Sequence, residues 1–217
     1  IQDKVDHFHE VMRMAMGDAY DNAYVAIMVL SFLIKAMFDP EYGQDAFTLE
    51  DLYSTAVEMQ REERAPRVAP TRQEIGGSLT RHFDNDEASF KETMTAVLNR
   101  LDKLRENTHL YRMFNHLPAW DAETQTYDSA TSAFSFTEFF DENAVLLFDL
   151  GDLRPNAARA MSMVMMSSLW DDLQVRDSDD DLSMVNLILE EAAPFASTDI
   201  VTEQLLAQAR SFNLSLG

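Results

Sequence analysis

The stretch Val185-Asn186-Leu187-Ile188-Leu189-Glu190-Glu191-Ala192 constrains this chain more than any other. It is an apolar run closed by two adjacent carboxylates. A short apolar run bounded by polar signals predicts a buried strand. Acids at the C-terminal end of such a strand stand where open α/β sheets bind their ligands. At a rigid strand end, carboxylates can hold the water shell of Mg²⁺ or orient a water toward a phosphate without reorganising. Neighbouring side chains on an extended backbone point to opposite sides, so Glu190 and Glu191 cannot share one task. The spacing alone fits equally well a polar strand end ahead of Pro194. No glycine-rich phosphate loop of the form G-x-x-x-x-G-K-[ST] occurs in the 217 residues. The chain therefore reads as holding the acids of a nucleotide site without its phosphate cradle.

The pattern around this run predicts alternating strands and helices. Ala144 to Asp149 is a continuous apolar strand ending in an acid. Pro155 suits the first turn of a helix, which runs to about Gln174 with Ala158, Met161, Met165, Leu169 and Leu173 on one side. Met163, Val164 and Met166 make its middle apolar nearly all round, so its faces are not separable by periodicity. Met184 to Leu189 forms the second strand. Ser197, Thr198 and Asp199 begin a helix that reaches about Arg210, and Phe212 to Leu216 starts a third strand. Strand, helix, strand, helix, strand implies a parallel sheet with right-handed crossovers, which would set Asp149 and Glu190-Glu191 on one sheet edge.

Before Pro118 the pattern is helical. Ile1 to Met16 and Asn22 to Phe38 are two helices parted near Gly17, and Leu49 to Arg64 is another. Met94, Val97, Leu98, Leu101 and Leu104 share one face of a fourth. Arg64 to Gly77, with its prolines and glycines, is a loop. Pro118 to Thr137 is a connection with an edge strand near Gln125 to Tyr127. The expected fold class is thus α/β: a partial parallel sheet (βαβαβ) over residues 119–217, carrying a large all-helical subdomain over residues 1–118.

Charge narrows the partners. Acids outnumber bases 38 to 17, and only Lys4, Lys35, Lys91 and Lys103 are lysines. Scarce lysine with surplus carboxylate favours a halophilic protein over an acidic mesophilic one, because at molar salt the Debye length shrinks to about 3 Å. At low salt such a surface repels nucleic acid outside a local basic patch. The absence of cysteine excludes disulfides and thiolate chemistry. Ala23 to Ile34 is apolar but shorter than the ~20 residues that span a bilayer, and no signal peptide is visible, so a cytoplasmic setting is expected.

Residues 144 to 217 resemble the HerA/FtsK superfamily of DNA-pumping P-loop ATPases, in its conjugative-transfer (type IV secretion) branch. The likeness lies in Ala144-Val-Leu-Leu-Phe-Asp149, the helix through Leu169-Trp170, and the strand ending Leu189-Glu190-Glu191-Ala192. It continues through Leu205-Leu206 into Ala209-Arg210-Ser211-Phe212-Asn213-Leu214. The helical first half, including Leu110 to Phe114-Asn115, resembles the insertion that follows the phosphate loop in that branch. The resemblance implies a RecA-like core in which Glu190 takes the Walker B metal-shell position and Glu191 the catalytic one. Arg210 matches an arginine that reaches a neighbouring subunit's nucleotide. It also implies ATP and Mg²⁺ as cofactors of the intact parent, other subunits of the same ATPase in a hexamer, and DNA or secretion-machine components as partners. It implies recruitment to the inner face of the membrane without insertion. The phosphate loop would lie before Ile1 and the polar sensor at or beyond Gly217, so this chain alone is expected to be inactive. The alternative is a non-enzymatic interaction module derived from an ATPase fold.

Other clusters carry less. Arg61, Arg64, Arg67, Arg72 and Arg81 could touch phosphates or a partner subunit, but Glu62, Glu63 and Glu74 dilute them into a solvated face. His7 and His9 are two residues apart and do not share a helix face, which argues against a metal site. Met161, Met163, Met165 and Met166 read as core filler, and Asp177 to Asp181 as a solvated loop.

Overall fold

The computed structural model describes residues 2–37, 47–62, 87–116, 120–121, 126–127, 134–140, 142–176, 183–190 and 206–217. The chain divides into two compact units, Ile1–Ala133 and Phe134–Gly217.

The first unit is built from helices. Helix α1 (Gln2–Met16) buries Val5, His9 and Met12, a spacing of one helical stripe, together with Val11. It stops at Gly17, whose φ of +65° is the left-handed conformation that ends many helices. A 3-10 turn over Gly17–Ala19 follows. Helix α2 (Tyr24–Met37) buries Ala26, Val29, Leu30, Leu33, Ile34 and Met37. Helix α3 (Leu49–Glu62) starts with a reciprocal cap: Thr48 Oγ1 accepts from Asp51 N at 3.0 Å, and Asp51 Oδ2 accepts from Thr48 N at 2.9 Å. Helix α4 (Glu87–Arg105) packs against α1, α2 and α3, burying Phe90, Met94, Val97, Leu101 and Leu104.

Helix α5 (Thr108–Phe114) is capped by Asn107, whose side chain accepts from His109 N and Leu110 N. Asn115 joins two helix ends. Its Oδ1 accepts from Glu50 N at 2.8 Å in the first turn of α3, and its Nδ2 donates to Tyr111 O at 2.7 Å. Arg105 ties α4 to α3 through two bonds to Glu50, at 3.1 and 3.2 Å, and lies 3.8 Å over the Tyr53 ring. Desolvation works against that guanidinium's charge, but its bonds to Asp102 and Glu50 more than offset this and hold its pKa above the ordinary value. Two dipeptides, β1 (Trp120–Asp121) and β2 (Thr126–Tyr127), pair antiparallel.

The second unit centres on helix α6 (Pro155–Gln174), with proline in its first turn as the sequence implies. Its buried face is Ala157, Ala160, Met163, Met166, Leu169, Trp170 and Leu173. The expected stripe through Ala158, Met161 and Met165 is therefore offset. An apolar girdle fixes that a helix is buried, not which side faces inward. A 3-10 turn over Phe136–Phe139 is held to α6 by Asp172, which accepts from Phe136 N at 2.6 Å and Ser135 Oγ at 3.0 Å. Strand β3 (Val185–Leu187) pairs in parallel with β4 (Leu214–Leu216), and Val185 opposes Leu214. Arg176 reaches Ser183 O at 2.8 Å, Phe212 O at 3.4 Å and the Phe140 ring at 4.8 Å, joining the end of α6 to both flanks of that pair.

The expected RecA-like βαβαβ sheet is not present among the described residues. The protein is mostly helical, and its parallel sheet has two strands. Residues 144–149 form neither helix nor ladder among the described residues, and Val145 and Leu147 are 94% and 88% exposed. Continuous apolarity marks a segment able to become a central strand; only ladder partners make it one. Phe212 belongs to a 3-10 turn, so the last strand begins at Leu214. The helix expected from Ser197 is seen only as Leu206–Gln208, because residues 191–205 lie outside the described residues. The loops expected at residues 64–77 and 177–181 lie outside them as well.

Candidate functional site

Two places in the fold gather polar chemistry: the end of β3 and the interior of the helical unit. At the first, the parallel ladder extends past β3. Leu189 N donates to Gly217 O at 3.1 Å, and Gly217 N donates to Leu187 O at 3.0 Å. Glu190 follows directly in a turn and is exposed, so its carboxylate meets solvent at the C-terminal end of a parallel strand. Glu191 lies outside the described residues. Arg210 falls in the 3-10 turn Ala209–Phe212 that leads into β4; its side chain is outside the description.

Asp149 does not share this edge as a sheet partner. It belongs to the unpaired segment, where its Oδ1 accepts from Gly151 N at 2.9 Å in a local turn. That is the structural role of a strand-end acid. Among the described residues no three His, Asp or Glu side chains converge to hold a metal ion.

The second place was not singled out by sequence pattern. His9 is 9% exposed and lies between Tyr20 and Ser31. Ser31 Oγ donates to Ile27 O at 2.9 Å, so it accepts from His9 Nε2–H at 2.6 Å. That leaves His9 Nδ1 as the acceptor of the Tyr20 hydroxyl. Every proton in the chain Tyr20–His9–Ser31–Ile27 is thereby engaged. Ser31 has no base to activate it, and the arrangement is a structural relay rather than a nucleophilic pair.

Burial lowers the His9 pKa to about 4, with Asp6 acting against that shift and Arg13 and Lys35 adding to it. Burial likewise pushes the Tyr20 hydroxyl upward, so both groups stay neutral. Arg100 closes this interior from α4. It donates to Tyr20 O at 2.9 Å and Ala96 O at 3.0 Å, and lies 5.8 Å from the Tyr20 ring centre. Its Nε is buried without a hydrogen-bond partner among the described residues. The signal that could have found the cluster is the Val5, His9, Met12 spacing, which puts His9 on the buried stripe of α1.

No family profile matches the chain, and neither the curated proteins nor the solved structures contain a detectable match. No described helix is long and apolar enough to cross a membrane.

Proposed function

We propose that this chain supplies the catalytic-acid strand of a Mg²⁺-dependent ATP-hydrolysing motor of the conjugative-transfer, HerA/FtsK-like kind. The observation that carries the reading is Glu190, exposed where parallel strand β3 ends beside β4. It rests on that strand end and on the residue pattern through Glu191 and Arg210, not on a RecA-like sheet.

Carboxylate oxygens are the hard donors that suit Mg²⁺, and an exposed side chain suits an ion that keeps most of its water. Glu190 would hold that water shell, Glu191 would orient the attacking water, and Arg210 would meet charge developing on a neighbour's nucleotide. Bound Mg²⁺ would neutralise charge on the phosphate oxygens. The sequence holds no phosphate loop, so the cradle must come from another segment or polypeptide. In this reading the motor works in the cytoplasm as a ring of like subunits, a hexamer, moving DNA or secretion substrates.

The test expresses the chain within its full open reading frame and measures Mg²⁺-dependent ATP hydrolysis. Glu191→Gln should abolish hydrolysis while leaving nucleotide binding within about twofold. Unchanged hydrolysis in that variant overturns the reading. So does turnover by the 217 residues alone at the ordinary enzymatic rate of about 1–10³ per second. A second reading, a non-enzymatic interaction module, is favoured by one observation: the apolar residues Val145 and Leu147 are presented to solvent on a segment outside any helix or ladder.

A further inference from the structure

We propose that residues 144–149 are a docking edge that takes an extended, lysine- or arginine-flanked strand from another protein. The inference is independent of the ATP-hydrolysing reading. From Ala144 to Phe148 no backbone N–H or C=O makes a hydrogen bond among the described residues. Exposure alternates along the segment, at 94% for Val145, 37% for Leu146, 88% for Leu147 and 41% for Phe148. A period of two is the spacing at which a strand presents its side chains, so the segment shows the exposure pattern of a strand without a ladder among the described residues.

The shape is held from behind. Phe148 meets the rings of Phe134 and Phe136 at 5.8 and 5.9 Å, and Phe134 also meets Phe136 at 4.9 Å and Phe139 at 5.7 Å. At the far end Leu153 N donates to Leu150 O at 3.0 Å, in the turn that precedes α6. An edge fixed in this way binds a strand without first being ordered, which removes part of the entropy cost of association. Main-chain hydrogen bonds would supply affinity, and Val145 and Leu147 would select apolar residues opposite them.

Charge decides the occupant. Between residues 138 and 154 the sequence carries Glu138, Asp141, Glu142, Asp149 and Asp152 against Arg154 alone. A second copy paired parallel and in register would set Asp149 against Asp149 and Glu142 against Glu142. Paired antiparallel about Leu146–Leu147, it would bring Glu142 opposite Gly151, beside the partner's acids. Like charges facing each other across strands are destabilising, and each copy adds a net charge of −21. A strand with cations at its ends meets the same acids favourably.

Hydrogen–deuterium exchange on the full 217-residue chain tests this, with a synthetic probe of alternating valine and threonine bearing paired lysines at both ends. The amides of residues 144–149 should exchange freely alone and gain at least about tenfold protection with the probe. Replacing the probe's threonines by proline, which removes ladder donors, should abolish the effect. Val145→Ser with Leu147→Ser should weaken binding about tenfold without unfolding the chain, since both side chains face solvent. Absence of protection with the lysine probe overturns the proposal, as does equal protection by a glutamate-flanked version. Protection that grows with chain concentration and no probe shows a second copy to be the occupant. Protection in the free chain at every concentration shows the edge to be paired already; either result also overturns it.

Discussion

Acidification should weaken the helical unit through His9, and the burial of its ring sets the direction. In the fold this imidazole is neutral, because burial depresses its pKa to about 4 from the ordinary 6.5. In the unfolded chain it titrates near 6.5. Between these values the unfolded state binds the extra proton, so stability rises with pH across that window. The contribution is complete above pH 6.5 and is lost as pH falls toward 4. A separation of about 2.5 pH units corresponds to about 3.5 kcal/mol at most, taking about 1.4 kcal/mol per unit, of which about 3 kcal/mol is lost by pH 4. The proton has no place in the relay: adding it to Nδ1 would turn that atom into a donor, displacing the hydrogen of the Tyr20 hydroxyl and leaving that buried O–H without its acceptor.

Acid also neutralises carboxylates in general, which relieves the self-repulsion of a chain with net charge −21. Absolute stability is therefore a mixed signal, while a difference is clean. His9→Gln can still accept from Tyr20 and donate toward Ser31 but does not titrate. Urea denaturation followed by the far-ultraviolet helical signal, at fixed salt, gives the free energy of each protein at each pH. The wild-type minus His9→Gln difference should be flat above pH 6.5 and fall by about 3 kcal/mol on reaching pH 4. A difference that stays constant from pH 7 to 4 would show that His9 is not held neutral by the fold. An imidazole resonance of His9 that titrates near 6.5 in the folded wild type refutes the reasoning without any variant.

Two further substitutions probe the seams of the helical unit. Arg105→Lys keeps the charge but cannot make the paired bonds to Glu50 or lie flat on Tyr53. Because the pair is partly solvent-screened, the loss should be about 1 kcal/mol in urea denaturation, smaller again in molar salt. Asn115→Ala leaves Glu50 N and Tyr111 O without their side-chain partner and should cost about 1–2 kcal/mol, read by the same titration.

Helices α1 to α4 and α6 were legible because each carries its own evidence, whereas the short α5 was not read from the sequence. Leu101 and Leu104 sit where a period of 3.6 puts them, and both are fully buried in α4. Gly17 and Pro155 mark a stop and a start through backbone geometry that no tertiary contact needs to supply. The caps were partly hidden. Thr48 and Asp51 form the hydroxyl-and-acid pair of a capping box, but Asn115 caps α3 from another helix, a relation that periodicity cannot express. The same limit hid the polar interior: Tyr20 and Ser31 come to His9 from outside α1, so its neutrality is a property of packing.

Strands carry no such local proof, since every ladder bond belongs to two segments. Met184–Leu189 and Ala144–Phe148 look alike as sequence: both are largely apolar, and each is followed directly by an acid. Yet β3 found Leu214–Leu216, while the other segment has Val145 and Leu147 in solvent. Glu190 and Asp149 therefore stand in different settings. One follows a paired strand and faces water, with no hydrogen bond to its side chain among the described residues; the other is turned onto Gly151 N. The difference follows from pairing: Glu190 ends a segment held by ladder bonds and its carboxylate stays in solvent, whereas Asp149 closes a local turn on Gly151 N. An acid that ends an unpaired strand leaves that edge to be completed from outside the segment, and the acids flanking it set the charge of whatever completes it.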